Sequence, residues 1–136
     1  MITNGYATLS EYKTYQRITS TDATDDMFIE AAIEAASRHI DREAGTRFYL
    51  ETETRKYDIP REGLPLMLDQ YYTAITSVIN GDGSTISASN LVTLPANTLP
   101  IWGLSLADRT GATWSLAATT GTVQAISVTG SVGYSL

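Results

Sequence analysis

Few side chains in this sequence are of types that carry chemistry, and their spacing argues against most of it. The one histidine, His39, lies on the flank of the main helix signal without a recognisable partner motif, so neither a metal site nor an acid–base pair is expected around it. Asp22, Asp25, Asp26, Glu30 and Glu34 could in principle hold a cation. Acids at the start of a helix, however, are what the positive end of the helix dipole favours. Asn80-Gly81-Asp82-Gly83 has the look of the opening of a calcium loop but lacks the later ligands and the closing glutamate, which leaves a hairpin turn. No cysteine, no G-x-S-x-G, no P-loop, no G-x-G-x-x-G and no H-E-x-x-H is present. No catalytic residue, metal or cofactor is therefore expected, and the chain does not read as an enzyme.

The remaining candidates are contact residues. Arg38, Arg42 and Arg47 could meet phosphate, but Glu34, Asp41 and Glu43 are interleaved with them, which suits an ion-paired or intersubunit face better than a nucleic-acid grip. Tyr71-Tyr72 falls in an expected loop. It could anchor a partner, cap the core, or join Trp102 and Trp114 as a stacking platform for a sugar. Both tryptophans share parity with neighbouring apolar residues, which favours core positions. Arg38, Arg42, Arg47, Tyr71 and Tyr72 are thus the candidate subunit or partner contacts.

The element that must position the arginines is the clearest in the chain. Ile29, Ile33, Ala36 and Ile40 recur at helical spacing, with Phe28, Ala32 and Ala44 beside them, and predict one buried helical face. Thr24 is the expected N-cap and Gly45 the expected left-handed stop. Ala31, Ala32, Ala35 and Ala36 make the stripe narrow enough for close approach by other helices. Before this helix, Thr8-Leu9-Ser10-Glu11 has the capping-box form. It predicts a short helix to Arg17 that buries Leu9, Tyr12 and Ile18, while residues 1–6 read as a loose arm.

After residue 54 the hydrophobic period changes to two. Strands are expected at Lys56–Pro60, at Leu64–Leu68, at Ala74–Ile79 and, across the Asn80–Gly83 turn, at Ser84–Ser87. Further strands are expected at Leu91–Leu94 and around Trp102–Leu106. Asp108–Gly111 reads as a turn, with Trp114 and Leu116 continuing on one face. A last strand alternates Ile126, Val128, Gly130, Val132 and Tyr134 with Ser and Thr, and Val123 and Ala125 on the other parity predict a bulge near Ala125–Ile126. The expected fold class is α+β: two N-terminal helices (about 8–17 and 24–45), then an antiparallel, sandwich-like β region (about 55–135). One domain of residues 1–136 is expected, with a helical part to residue 54 and a β part from 55.

Bulk charge narrows the partners. The 136 residues carry a net charge of -6, which disfavours tight phosphate binding. Residues 63–136 hold only Asp69, Asp82, Asp108 and Arg109 as charged side chains, and so little charge leaves sheet edges poorly protected against pairing. That predicts neighbours, in the same chain or in other subunits. No apolar run is long enough to span a membrane and the N-terminus lacks a signal-peptide pattern, so a cytosolic protein, or one assembled in the cytosol, is the expectation.

The run YATLSEYKTYQRI, the polar link TDATDD, and FIEAAIEAASRHIDREAGTRFY together resemble the N-terminal helices of tailed-phage head–tail connector proteins, the head-completion adaptors. The family's "EAAS..ID...G..F" pattern is matched by Glu34, Ala35, Ala36, Ser37, Ile40, Asp41, Gly45 and Phe48. Members with a β insertion are similar further along, through KYDIP, LPLML, ITSVINGDG, LPANTLPIWGLSL and ISVTGSVGYS. The resemblance implies a virion neck protein, assembled in the host cytoplasm, without catalysis. Copies would form a closed ring of roughly twelve beneath the portal protein, contacting the portal above and the next neck or tail-terminator protein below. DNA would pass through the lumen without specific binding. The resemblance also implies one or two closing C-terminal helices, which this sequence, ending at Leu136, does not contain. Two other readings stand beside it: another neck, tail-completion or baseplate component, and a carbohydrate-binding β-domain built on the aromatic platform.

Overall fold

The computed structural model describes residues 1–107 and 111–134. The expected turn residues Asp108–Thr110, and Ser135 at the end of the last alternating run, lie outside them. The chain divides into two compact units, Met1–Tyr49 and Leu50–Leu136. The division falls before residue 54 because the first strand already begins at Glu51.

The first unit holds two helices. In α1 (Leu9–Gln16) the capping box forms as expected: Glu11 N donates to Thr8 Oγ1 at 3.2 Å, and Thr8 N donates to Glu11 Oε2 at 2.7 Å. The buried residue of α1 is Lys13, not Tyr12. Lys13 Nζ donates to Asp22 O at 2.6 Å and forms an ion pair with Asp26 Oδ1 at 2.5 Å. It thereby ties α1 to the start of α2 (Asp26–Ala44). This moves the helix start as well. Asp25, not Thr24, is the N-cap and makes no side-chain capping bond, while Thr24 N is held by Asp22 Oδ1 at 3.1 Å. Lys13→Ala strips a buried cation from a half-exposed carboxylate and should cost about 1–3 kcal/mol of helical-unit stability, read as a lower urea midpoint by circular dichroism at 222 nm. A midpoint unchanged from wild type would show the pair to be ornamental. At the other end Gly45, with φ 66°, closes α2 by donating to Arg42 O at 3.3 Å, which is the conformation its missing Cβ makes cheap.

The N-terminal arm is not loose. The Met1 ammonium lies 2.7 Å from Glu30 Oε2 and Arg38 Nη2 donates to Asn4 O at 2.8 Å. Tyr6 N donates at 3.0 Å to Ser37 Oγ, which itself donates to Ile33 O at 2.7 Å. Residues 1–6 therefore strap the Ile33/Ser37 side of α2. The sequence pattern placed the buried stripe through Ala36 and Ile40. Ile33 of that stripe is buried as expected, but the strap covers it together with Glu30, Ser37 and Asp41, and Ala32, Ala36 and Ile40 face solvent.

The second unit is one antiparallel sheet. Its strands are β1 (Glu51–Tyr57), β2 (Leu66–Ile79), β3 (Leu91–Leu94), β4 (Ile101–Leu106) and β5 (Ile126–Val132), in the order β1-β5-β2-β4-β3. With the two helices before it, the arrangement is α+β. Four details depart from the sequence pattern. β1 starts earlier than the apolar signal because it is an edge strand of alternating charges that buries only Tyr57. The segments expected at 64–68 and 74–79 join into one 14-residue strand running through Tyr71-Tyr72. Beyond the Asn80–Gly83 turn only Thr85 pairs, with Ile79. The bulges fall in β2, between Tyr72 and Ala74 and between Ile75 and Ser77, rather than at Ala125–Ile126.

Those bulges let β2 curl. Tyr57 lies opposite Ile126 and Tyr72 opposite Val132, six residues away along β5, or roughly 20 Å in a flat sheet. Yet their hydroxyls are 3.1 Å apart. The start of β2 must therefore fold back over the concave face of β1 and β5. The core sits inside that curl: Tyr57, Leu66, Tyr72, Val78, Ile101, Leu104, Ile126, Val128 and Val132, with Ile75, Ile86, Leu91 and Trp114 packed against it.

Candidate functional site

The arginines do not form an anion-binding stripe. Two of them are engaged at the end of α2 in an aromatic cluster that the sequence did not announce. The Arg38 guanidinium sits 4.6 Å from the centre of the Tyr49 ring, and the Arg47 guanidinium 5.0 Å from the same ring, the range in which a cation is drawn to the ring face. Arg38 also makes an ion pair with Asp41, Nε to Oδ2 at 2.9 Å. Tyr6 crosses this group. Its hydroxyl donates to Asp41 Oδ1 and accepts from Phe48 N at 2.9 Å, and its ring meets Phe48 edge-on at 5.9 Å. Burial and then the Asp41 bond raise the Tyr6 phenol above its ordinary pKa. Arg42, in the last turn of α2, is exposed. Arg42 is the most exposed of the three, while Arg38 and Arg47 are partly exposed. Arg38 and Arg47 organise the cluster.

Tyr71 and Tyr72 separate by strand alternation. Tyr72 is 0% exposed, so it is a core residue and not a partner contact. Tyr71 points the other way, 40% exposed, with its ring edge-on to Tyr134 at 6.2 Å. The four-ring sugar platform also loses Trp114, which packs against the core. Trp102, expected inside by parity, is partly exposed instead, because the irregular β2–β4 pairing between Met67 and Tyr72 breaks the alternation on which parity rests.

A polar network closes the curled sheet. The Tyr57 hydroxyl donates to Asp69 Oδ1 at 2.6 Å, Arg55 Nη1 to Asp69 Oδ2 at 2.9 Å, and Arg55 Nε to Glu53 Oε2 at 2.9 Å. Burial first, then the Asp69 bond, push the Tyr57 phenol far above its usual range, and burial raises that of Tyr72. Each member has a partner in the network, which serves as a latch between β1 and β2. Only Asp69 signalled it in the sequence, as a lone charge among Leu66, Met67 and Leu68.

Asn80 is a second latch. Its Oδ1 accepts from Gly81 N at 3.0 Å and Ser115 N at 2.7 Å, and its Nδ2 donates to Thr113 O at 2.9 Å. It thereby pins the irregular 113–115 segment to the turn after β2. Asn80→Ala should cost about 1–3 kcal/mol and raise hydrogen exchange at Ser115. Unchanged protection of the Ser115 amide would show that other contacts hold the segment.

Among the described residues no group of three or more His, Cys, Asp or Glu side chains could hold a metal. No helix there is long and apolar enough to cross a membrane. What remains in the helical unit is a surface. Met27 (73% exposed), Phe28 (69%) and Ile40 (47%) lie with Ala31, Ala32, Ala35 and Ala36 on the solvent side of α2. Comparison of the chain with family models, with curated proteins and with solved structures found no match.

Proposed function

We propose that this chain is a structural head–tail connector of a tailed bacteriophage. In this reading copies form a closed ring of roughly twelve beneath the portal. The ring joins the head to the next neck or tail-terminator protein and lets DNA pass. The protein acts in the virion neck, is assembled in the host cytoplasm, and performs no catalysis. The observation that carries the reading is the solvent-facing apolar side of α2, lined by Phe28, Met27, Ile40 and four alanines. A helix that leaves large apolar side chains and a run of alanines uncovered needs a covering partner, and alanines let a neighbouring helix come close. A head-to-tail contact repeated around a ring covers such a face in every copy. The net charge of -6 supports a lumen along which DNA slides without being gripped.

The test is assembly. Size exclusion with light scattering, and negative-stain imaging with and without portal protein, should find rings. The double substitution Phe28→Glu, Ala32→Glu should yield monomers with unchanged helix content, because exposed positions contribute within about 0.5 kcal/mol to folding. A stable monomer in the presence of portal would overturn the reading. Rings that persist in the double variant would move the interface away from α2.

A further inference from the structure

We infer that the β unit carries a strand-acceptor notch on β2, between Thr73 and Ser77, which binds an uncharged extended peptide segment of a partner protein by strand addition. The inference rests on the sheet alone and not on the connector reading.

The notch follows from the topology. β5 pairs one side of β2 from Tyr72 to Ile79. On the other side β4 pairs Leu66 and Met67 and last meets β2 at Tyr72, opposite Ile101. The next pairing on that side is Ile79 with Thr85, beside the bond from Ile86 N to Val78 O at 2.9 Å. Between these two closures β2 has no ladder partner on that side among the described residues. The register shifts at 72/74 and 75/77 fall in this same stretch of β2. An unpaired stretch of strand backbone offers alternating donors and acceptors that an extended chain matches and a helix cannot.

The gap has a floor. A cavity of about 300 Å³ lies along it, lined by Ile75, Val78, Ile86, Leu91, Thr93 and Leu104 among others. It holds one large aliphatic or aromatic side chain. None of its lining residues is charged, and burying an unpaired charge there would be costly, so the entering side chain is apolar. Five residues of strand measure roughly 17 Å, which sets the length of the segment at about five residues. Its alternate side chains point up to solvent and down into the cavity.

The test uses the full chain and a random dodecapeptide display library. Selected peptides should have an uncharged centre with alternating β-branched or aromatic residues. On binding they should slow hydrogen exchange at residues 74–77 at least tenfold, while the β1–β5 ladder is unaffected. N-methylation of the central peptide amides, which keeps the side chains, should weaken binding at least tenfold. Thr93→Trp, which fills the cavity, should also abolish binding, and the exchange readout on the unsubstituted chain stands even if that variant does not fold. The inference is overturned if no peptide is selected, if selected peptides leave exchange at 74–77 unchanged, or if N-methylation has no effect.

Discussion

Gly130→Ala destabilises the β unit by about 3 kcal/mol or more, and Gly130→Val leaves it unfolded at room temperature. Gly130 sits in the interior strand β5, opposite Glu53 of β1 on one side and Ile75 of β2 on the other. It belongs to the buried face of β5. A Cβ there would run into the Ala74 carbonyl and the Tyr72 ring, because the bulge between Tyr72 and Ala74 presses the β2 backbone onto this point. Overpacking a core costs 1–3 kcal/mol when side chains can yield. Here backbone has to move, and it moves only by breaking the ladder that holds the sheet. Both tryptophans, Trp102 and Trp114, lie in the β unit, so urea unfolding followed by tryptophan fluorescence reads this unit by itself. Ser127→Ala, on the other face of β5, should shift stability by less than about 0.5 kcal/mol. A Gly130→Ala chain with a wild-type midpoint would show that the contact is soft and that β2 does not press on β5 as described.

The second large effect is loss of stability at alkaline pH. Tyr57 and Tyr72 are buried with their hydroxyls 3.1 Å apart, and Tyr57 donates to a carboxylate. Burial leads, with the Asp69 bond behind it at Tyr57, in raising both folded-state pKa values above 10. The unfolded chain releases these protons near pH 10, whereas the folded chain keeps them. Above that pH the unfolded state binds fewer protons than the native one, so the contribution is complete below about pH 10 and falls as pH rises. The slope is at most about 1.4 kcal/mol per pH unit for each tyrosine. Guanidinium midpoints by tryptophan fluorescence should be flat from pH 7 to 9 and fall steeply from pH 10 upward. Tyr57→Phe should lose part of that slope and cost about 1 kcal/mol at neutral pH through the lost hydroxyl bond. A profile flat to pH 11 would contradict the buried, neutral pair.

How much of this was legible in the sequence depended on whether the signal was local. The α1 capping box, the Gly45 stop, the Asn80–Gly83 turn and the alternation of β5 each depend on a few adjacent residues. All four are present as the sequence implies. The α+β order, helices first and strands after, is likewise a matter of local period. β1 was obscured because an edge strand buries little and so shows no apolar alternation. Tyr72 was misplaced because the pattern suggested a loop where a long strand bends.

The candidate contact residues show the other side of this. Arg38 and Arg47 became parts of a cluster around Tyr49 because a strap from residues 1–6 crosses α2, and no local pattern specifies where an arm will lie. The same strap decided which side of α2 is buried, covering Ile33 and leaving Ala32, Ala36 and Ile40 outward. In the sheet, the meeting of Tyr57 with Asp69 and Tyr72, the crowding at Gly130, and the open edge of β2 all follow from how far β2 curls. The sequence by itself determined the elements and their order, because secondary structure is set by nearest-neighbour periodicity and by caps. Only the tertiary structure decided which faces are covered and which are left open. That depends on strand order, bulges and a terminal strap, which join residues far apart along the chain.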